Sequence, residues 1–391
     1  MFGAIYIGLS GLNAYSRGLQ QVSNNVANLN STGFKASAVT FSDLYQLEGR
    51  GGRTLSDAGH GTGGGVAIGE AQRNMRQGEL RQTDRDLDLA VNGSGFLVLK
   101  RGNDLFYTRT GSFEVDKDGF IVLAGTDYRL ATIDSSGQAV SVSIDPLRTN
   151  PPQKTGTVKF AENLSSSATS HTISNVTVYD QAGTAHVWKL QFAKNAGPAV
   201  GWTLTVTDAA GKTIGTEVVS FTAGIIDPAT SRPAFTDSEA DLTVTFDMSN
   251  VTSFSGGEIS TMRAASVDGH AAGTIGALKV NEKGQLELSY SNEQKTEIGA
   301  VAVADFRDPQ ALEQRSGGLF TDPGAADAVL ASSGDPRVGT VLSRRLEASN
   351  VDLAQQFGDL ILIQRGFQAS SQIISVANDM IQQLFGIRGQ G

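Results

Sequence analysis

With 391 residues, 39% of them hydrophobic and 18% charged, the chain is large enough for two or three domains and too apolar to be disordered. Its 46 glycines against 9 prolines point to many turns, and the absence of cysteine excludes disulfides and thiolate metal sites. A formal net charge of −9 without any Lys/Arg cluster argues against nucleic acid or an anionic membrane as partner.

The N-terminus has no Lys or Arg before Arg17 and no long apolar core, so it makes a poor cleaved signal peptide. No run approaches the ~20 apolar residues of a membrane span, and no membrane insertion is expected. From Phe2 to Leu29 the apolar residues Ile5, Leu12, Leu19 and Val26 recur every seven positions, with Tyr15, Val22 and Leu29 three places on. That spacing predicts a helix with a narrow apolar seam that needs a partner helix. Gly3, Gly8, Gly11 and Gly18 each cost such a helix about 1 kcal/mol relative to Ala, so packing must hold it. The polar run Asn28 to Thr32 and Gly33 are expected to end it.

From Ala36 to about Gly65 the pattern reads as a loop, closing on the mobile link Gly59-His60-Gly61-Thr62-Gly63-Gly64-Gly65. No Gly-Lys-Ser/Thr follows, so it is not a phosphate-binding loop. Strands are predicted at Leu87–Leu89, Gly95–Leu99, Tyr107–Val115 and Phe120–Leu123. Asp116-Lys117-Asp118-Gly119 between the last two reads as a hairpin turn and lacks the further ligands of a calcium loop. Asp145-Pro146 and Asn150-Pro151-Pro152 mark a boundary. Beyond it, about 153–263 alternates apolar and Thr residues, as in Trp202-Leu204-Val206 and Leu242-Val244-Phe246, which predicts a sandwich or barrel. Strands return at Gly276–Val280 and Leu286–Leu288, with Val301, Val303 and Phe306 continuing the sheet.

At the C-terminus Leu346, Leu353, Leu360, Phe367, Ile374 and Ile381 keep the seven-residue beat, joined by Ile363, Ala377 and Leu384. A helix is expected from Asn350 or Val351, with Ser349 and Asn350 as caps and Asp352 adding negative charge in its first turn. Pairing the two terminal helices is the simplest way to bury both seams. The expected fold is α+β, mainly β: coiled-coil-like terminal helices carrying two β-rich domains, the second inserted in the first. Residues 1–35 and 346–391 form the helical core and 36–150 with 264–345 the first β domain; 151–263 form the inserted outer domain. His60, His171, His186 and His270 are scattered and no catalytic constellation stands out, so neither an enzyme nor a cofactor or metal site is expected.

Five motifs carry a family resemblance. Ser23-Asn24-Asn25-Val26-Ala27-Asn28-Leu29-Asn30-Ser31-Thr32-Gly33-Phe34-Lys35 resembles the N-terminal signature of the bacterial flagellar rod and hook axial proteins. Leu346-Glu347-Ala348-Ser349-Asn350-Val351-Asp352-Leu353, followed by Gln364-Arg365-Gly366-Phe367-Gln368-Ala369, resembles their C-terminal one. Leu87 to Phe96 and Tyr107 to Phe113 resemble the motifs of the family's first β domain. Tyr290-Ser291-Asn292-Glu293-Gln294 is similar to a stretch near the C-terminal part of its hook members. Phe367 departs from the Tyr found in many members.

The resemblance implies a tubular homopolymer with terminal helices inside and β domains outside. Ile5, Leu12, Leu19, Val22, Val26, Leu29, Leu353, Leu360, Phe367, Ile374, Ile381 and Leu384 would pack its core. The large insert implies a hook subunit, the alternative being a distal rod subunit. The implied partners are the distal rod, hook cap and hook–filament junction proteins, and the flagellar type III export apparatus. Among the Asn residues of the first signature, amides bonding across neighbouring helices and loops are expected.

Overall fold

The computed structural model describes residues 2–45, 63–69, 71–196, 201–324 and 327–388. The chain divides into two compact units: Met1–Asp145, Leu278–Glu287 and Glu297–Gly391 form unit one, and Pro146–Ala277 with Leu288–Thr296 form unit two.

Unit one holds both helices, α1 (Phe2–Ala27) and α2 (Leu353–Arg388). They pack antiparallel, as the contacts show. A Cβ on Gly8 would lie 2.6 Å from Ile374, one on Gly11 2.5 Å from Ser370, and one on Gly366 would strike the Tyr15 ring. The buried line of α1 is therefore Gly8, Gly11, Ala14, Gly18, Val22 and Asn25. This revises the expected seam. Small residues let the helices approach closely, and what reads as a helix-weakening composition is a packing surface. Gly3, with nothing within 4 Å of its Cβ position, remains a plain handicap.

The cap of α2 also differs from expectation. Asp352 Oδ1 accepts from the backbone N–H of Ala354 (2.9 Å) and Gln355 (3.2 Å), so Asp352 itself is the N-cap. Ser349 and Asn350 lie one turn too early. The segment expected as a loop is partly paired: Phe41–Tyr45 runs antiparallel to Gly63–Ile68, and Ser37–Ala38 to Gln72–Arg73. Ser10 of α1 accepts the Val66 N–H at 3.2 Å, which ties this hairpin to the helix. Gly59, His60, Gly61 and Thr62 lie outside the described residues.

The sheet of unit one is antiparallel through Asp88–Asn92, Phe96–Arg101, Asp104–Thr108, Thr110–Val115, Ile121–Leu123 and Arg129–Ile133. Phe96, Tyr107, Phe306 and Phe320 meet edge-on in its core, with ring centroids 4.7–5.6 Å apart. Asp116 Oδ1 accepts from the N–H groups of Asp118 and Phe120, and Gly119 takes φ +77°, which makes the hairpin turn. The single strand expected over Tyr107–Val115 is broken at Arg109, whose side chain is buried.

Unit two contains a nine-stranded sheet coiled around one apolar core. Alternation decides its faces: Trp202, Leu204 and Val206 are buried, and so are Leu242, Val244 and Phe246, while the threonines between them reach solvent. Thr157–Asn163 pairs parallel to Leu242–Thr252 and antiparallel to Arg263–Val267. His171 Nε2, on the strand Ser170–Tyr179, bonds the Met262 carbonyl at 2.8 Å and brings the two ends of the sheet together.

Candidate functional site at the root of the helices

The chain leaves α1 through Gly33-Phe34-Lys35-Ala36 and enters α2 through Glu347 to Val351. These two connectors, remote in sequence, are locked together. Gly33, at φ +69°, donates its N–H to the Glu347 carbonyl at 2.8 Å, a conformation that favours glycine. Asn350 donates its N–H to the Phe34 carbonyl, and its Oδ1 accepts the Ala36 N–H at 2.8 Å. Its Nδ2 donates to the carbonyls of Asn74 (2.6 Å) and Arg76 (2.8 Å).

At the centre lie three charged side chains, all buried: Lys35, Arg109 and Glu347. Glu347 sits on the short strand Arg345–Glu347, paired with Leu80–Gln82. Its Oε1 accepts from Lys35 Nζ at 2.6 Å and from the Gly78 N–H at 2.8 Å, and its Oε2 from Arg109 Nε at 3.3 Å. Lys35 also donates to the Arg76 carbonyl, and Arg109 to the carbonyls of Gly93 and Gly95. The Glu347 N–H donates to Thr110 Oγ1 at 3.1 Å, and that hydroxyl donates onward to the Leu89 carbonyl. Gly78 must be glycine for space: a Cβ there would collide with the Ala348 carbonyl oxygen.

Desolvation dominates the electrostatics. Burial pushes Lys35 below the usual lysine range, opposed by the Glu347 charge and reinforced by repulsion from Arg109. Burial lowers Arg109 in the same way, again against Glu347. Two cations share one carboxylate, and the backbone carbonyls of Arg76, Gly93 and Gly95 accept from them as well. Removing Glu347 from such a buried set costs about 3–5 kcal/mol, because it strands the cations.

The other signature residues have simpler places. Asn25 is buried and bridges α1, the first connector and α2: its Nδ2 donates to the Ser37 carbonyl and to Gln356 Oε1, both at 2.8 Å, and its Oδ1 accepts the Ser37 N–H. Asn24 and Asn28 bond each other and close the last turn of α1 locally. Phe34 is half-buried, Val351 is buried, and Ser349 Oγ accepts the Val351 N–H. Asp352 caps α2.

The apolar residues picked from the heptads divide. Val22 is buried; Ile5, Leu12, Val26, Leu29, Leu360, Ile374 and Ile381 are half-buried; Leu19, Leu353 and Phe367 are exposed. Leu384 lies within α2, its side chain outside the described residues. Further apolar side chains of α2 stay in solvent after the pairing: Phe357 and Ile361 near its start, then Ile373, Val376 and Met380 on a face they share with Leu362, which is 69% exposed. On α1, Tyr6 and Leu9 are likewise exposed.

Sequence reasoning missed Arg109, Arg76, Gly78, Thr110 and Gln356 as parts of the site. Arg109 and Thr110 lie inside the motif Tyr107 to Phe113, which marks the segment without showing that Arg109 turns inward; the other three had no signal.

Four family profiles match the chain in order. "Flagella basal body rod protein" covers residues 5–35, and "Flagellar hook protein FlgE/F/G D1 domain" covers 90–149. "Flagellar basal body protein FlaE D2 domain" covers 147–314, and "Flagellar basal body rod FlgEFG protein C-terminal" covers 342–387. The chain belongs to the flagellar rod and hook axial family. The first profile ends on Lys35 and the last begins five residues before Glu347, so the two meet the two connectors locked together here, which form a clasp. Full-length relatives agree: proteins named flagellar hook protein FlgE from Borreliella burgdorferi and Rhizobium meliloti are each 27% identical over 99% of this chain, covering 100% and 99% of their own lengths. The protein of that name from Escherichia coli K12 is 26% identical over 97% of this chain and 98% of its own. A crystal structure of Helicobacter pylori FlgE2 superposes with a TM-score of 0.48 at 13% identity, covering 68% of this chain and 99% of that one. The family is one of structural proteins of the flagellum.

Proposed function

We propose that the chain is the structural subunit of the flagellar hook, self-assembling into a curved tube that passes torque from rod to filament. The observation that carries this is the exposed apolar surface of α2. An ordinary intramolecular hairpin would finish its burial within one chain, whereas here Phe357 and Ile361 are each 53% exposed after α1 is in place. Burying one such side chain fully contributes about 1.5–3 kcal/mol, so several of them together are a strong drive to associate with other copies. The hook, rather than the distal rod, is favoured by full-length relatives bearing the hook name and by the D2 match over 147–314.

In this reading 1–35 and 346–391 form the polymer core, 36–150 with 264–345 the first β domain, and 151–263 the outer domain. Export follows the flagellar type III route without a cleaved signal, and the neighbours are the distal rod, the hook cap and the hook–filament junction proteins. The outer domain makes polar, adjustable contacts that set curvature. Electron microscopy of basal bodies from cells lacking the protein tests the assignment. A complete rod with nothing beyond it is expected; a rod that stops short would move the chain to the rod.

A further inference from the structure

We propose that Glu347 licenses the closure of unit one: the N-terminal connector and the Asn92–Gly95 loop stay open until the C-terminal segment delivers this one carboxylate. The device concerns the order of folding within one copy and does not rest on the hook reading.

Lys35 and Arg109 are buried to within 2% of completeness. Their polar contacts, apart from Glu347, are the backbone carbonyls of Arg76, Gly93 and Gly95. Carbonyls satisfy N–H donors but cannot neutralise a charge in a dry site. Among the described residues, Glu347 is the carboxylate bonded to either cation. It comes from 312 residues beyond Lys35 and 238 beyond Arg109. Without it, folding residues 33–36 against 76–78 and 93–95 would drive two desolvated cations toward each other.

The arrival of Glu347 changes several things together. Its strand adds to Leu80–Gln82, its carbonyl takes the Gly33 N–H, its N–H finds Thr110, and its carboxylate takes up Lys35, Gly78 and Arg109. The same segment leads into α2, whose Gln356 meets Asn25 of α1. One residue thus couples docking of the helix pair to completion of the chain. The neighbouring apolar contacts have no such sign change to offer, since they only strengthen as more of them form.

The test is hydrogen exchange, read by mass spectrometry, on the full-length chain and on three variants: Glu347→Gln, Lys35→Met, and the two combined. Glu347→Gln is expected to raise exchange about 150- to 4,000-fold in peptides covering 24–36, 74–80 and 90–95, in line with the cost of a stranded buried charge. Peptides of unit two should not move. The deciding result is the change of sign: Lys35→Met should lower protection in the wild-type chain but raise it in the Glu347→Gln chain. A shape-only role for the clasp predicts loss in both backgrounds, and that outcome would overturn the proposal. Should Glu347→Gln leave unit one unfolded, pulse labelling during refolding of the wild-type chain decides instead. Residues 24–36 and 90–95 must gain protection in the same phase as 345–352; earlier protection would overturn the proposal as well.

Discussion

In unit two the large core side chains Trp188, Phe160, Phe192, Phe235 and Phe246 are all at 2% exposure or less, whereas α2 displays Phe357, Ile361, Ile373, Val376 and Met380 to solvent. Both regions are rich in apolar residues, but they use them for different ends. A coiled sheet has an inside that its own strands can fill. A pair of helices has only one mutual face, so any further apolar row has to be covered by something else. Unit two is completed by its own chain; on the proposed reading, the helices are completed by other copies.

That contrast can be broken most directly from the helical side. Replacing Ile361 and Ile373 with Asp should abolish polymers seen by electron microscopy while shifting monomer stability by no more than about 0.5 kcal/mol per site. The counterpart in unit two, Trp188→Ala, should lower the stability of that unit by about 3–5 kcal/mol, followed by the fluorescence of Trp202 in denaturant. If Trp188→Ala left the midpoint unchanged, or the paired Asp variant still polymerised, the division between the two regions would fail.

A finer comparison lies within the helices. Gly358 has nothing within 4 Å of its Cβ position, so Gly358→Ala should stabilise by about 1 kcal/mol. Gly11→Ala gains the same helix propensity but places a methyl 2.5 Å from Ser370 Oγ, and overpacking of about 1–3 kcal/mol should reverse the sign. Thermal melts of the two variants should therefore move in opposite directions.

The smallest effect is electrostatic. Asp180 accepts from the N–H groups of Thr184 and Ala182 and from His186, with the Thr184 bond foremost in lowering its carboxyl from the usual 3.8 to about 2. Because the folded value is the lower one, its contribution is present above about pH 4 and lost as pH falls through about 2. NMR titration of its carboxyl carbon should give a midpoint near 2; one near 3.8 would deny the turn any such contribution.

The existence of both helices was legible, because a seven-residue apolar beat suits a helical seam and matches no strand period. Which face turns inward was not. Gly8, Gly11 and Gly18 stand on one side of α1, yet a glycine advertises helix weakness and close approach with the same symbol. Only the partner, with Ile374 and Ser370 set against them, decides between the two. The motifs pointed to Asn25, Lys35 and Glu347 without their chemistry. The Lys35–Glu347 bond joins residues 312 positions apart, and no local periodicity encodes such a distance. Arg109 was hidden for a related reason, since an alternating strand around it gives no hint that the chain breaks to turn it inward. Asp352 against Ser349 as the cap of α2 is a choice of one turn, settled by which carboxylate or hydroxyl reaches the free N–H groups.

The bond between Lys35 and Glu347 also defines a mechanical route. It joins the two connectors where one leaves α1 and the other enters α2, so the long stretch of chain between them is bypassed as a tether is bypassed by a knot at its base. Tension or twist carried by either helix meets, at this point, short bonds that lead directly to the other connector. Load along the helices thus enters unit one at the strand that carries Glu347 and its partner Leu80–Gln82.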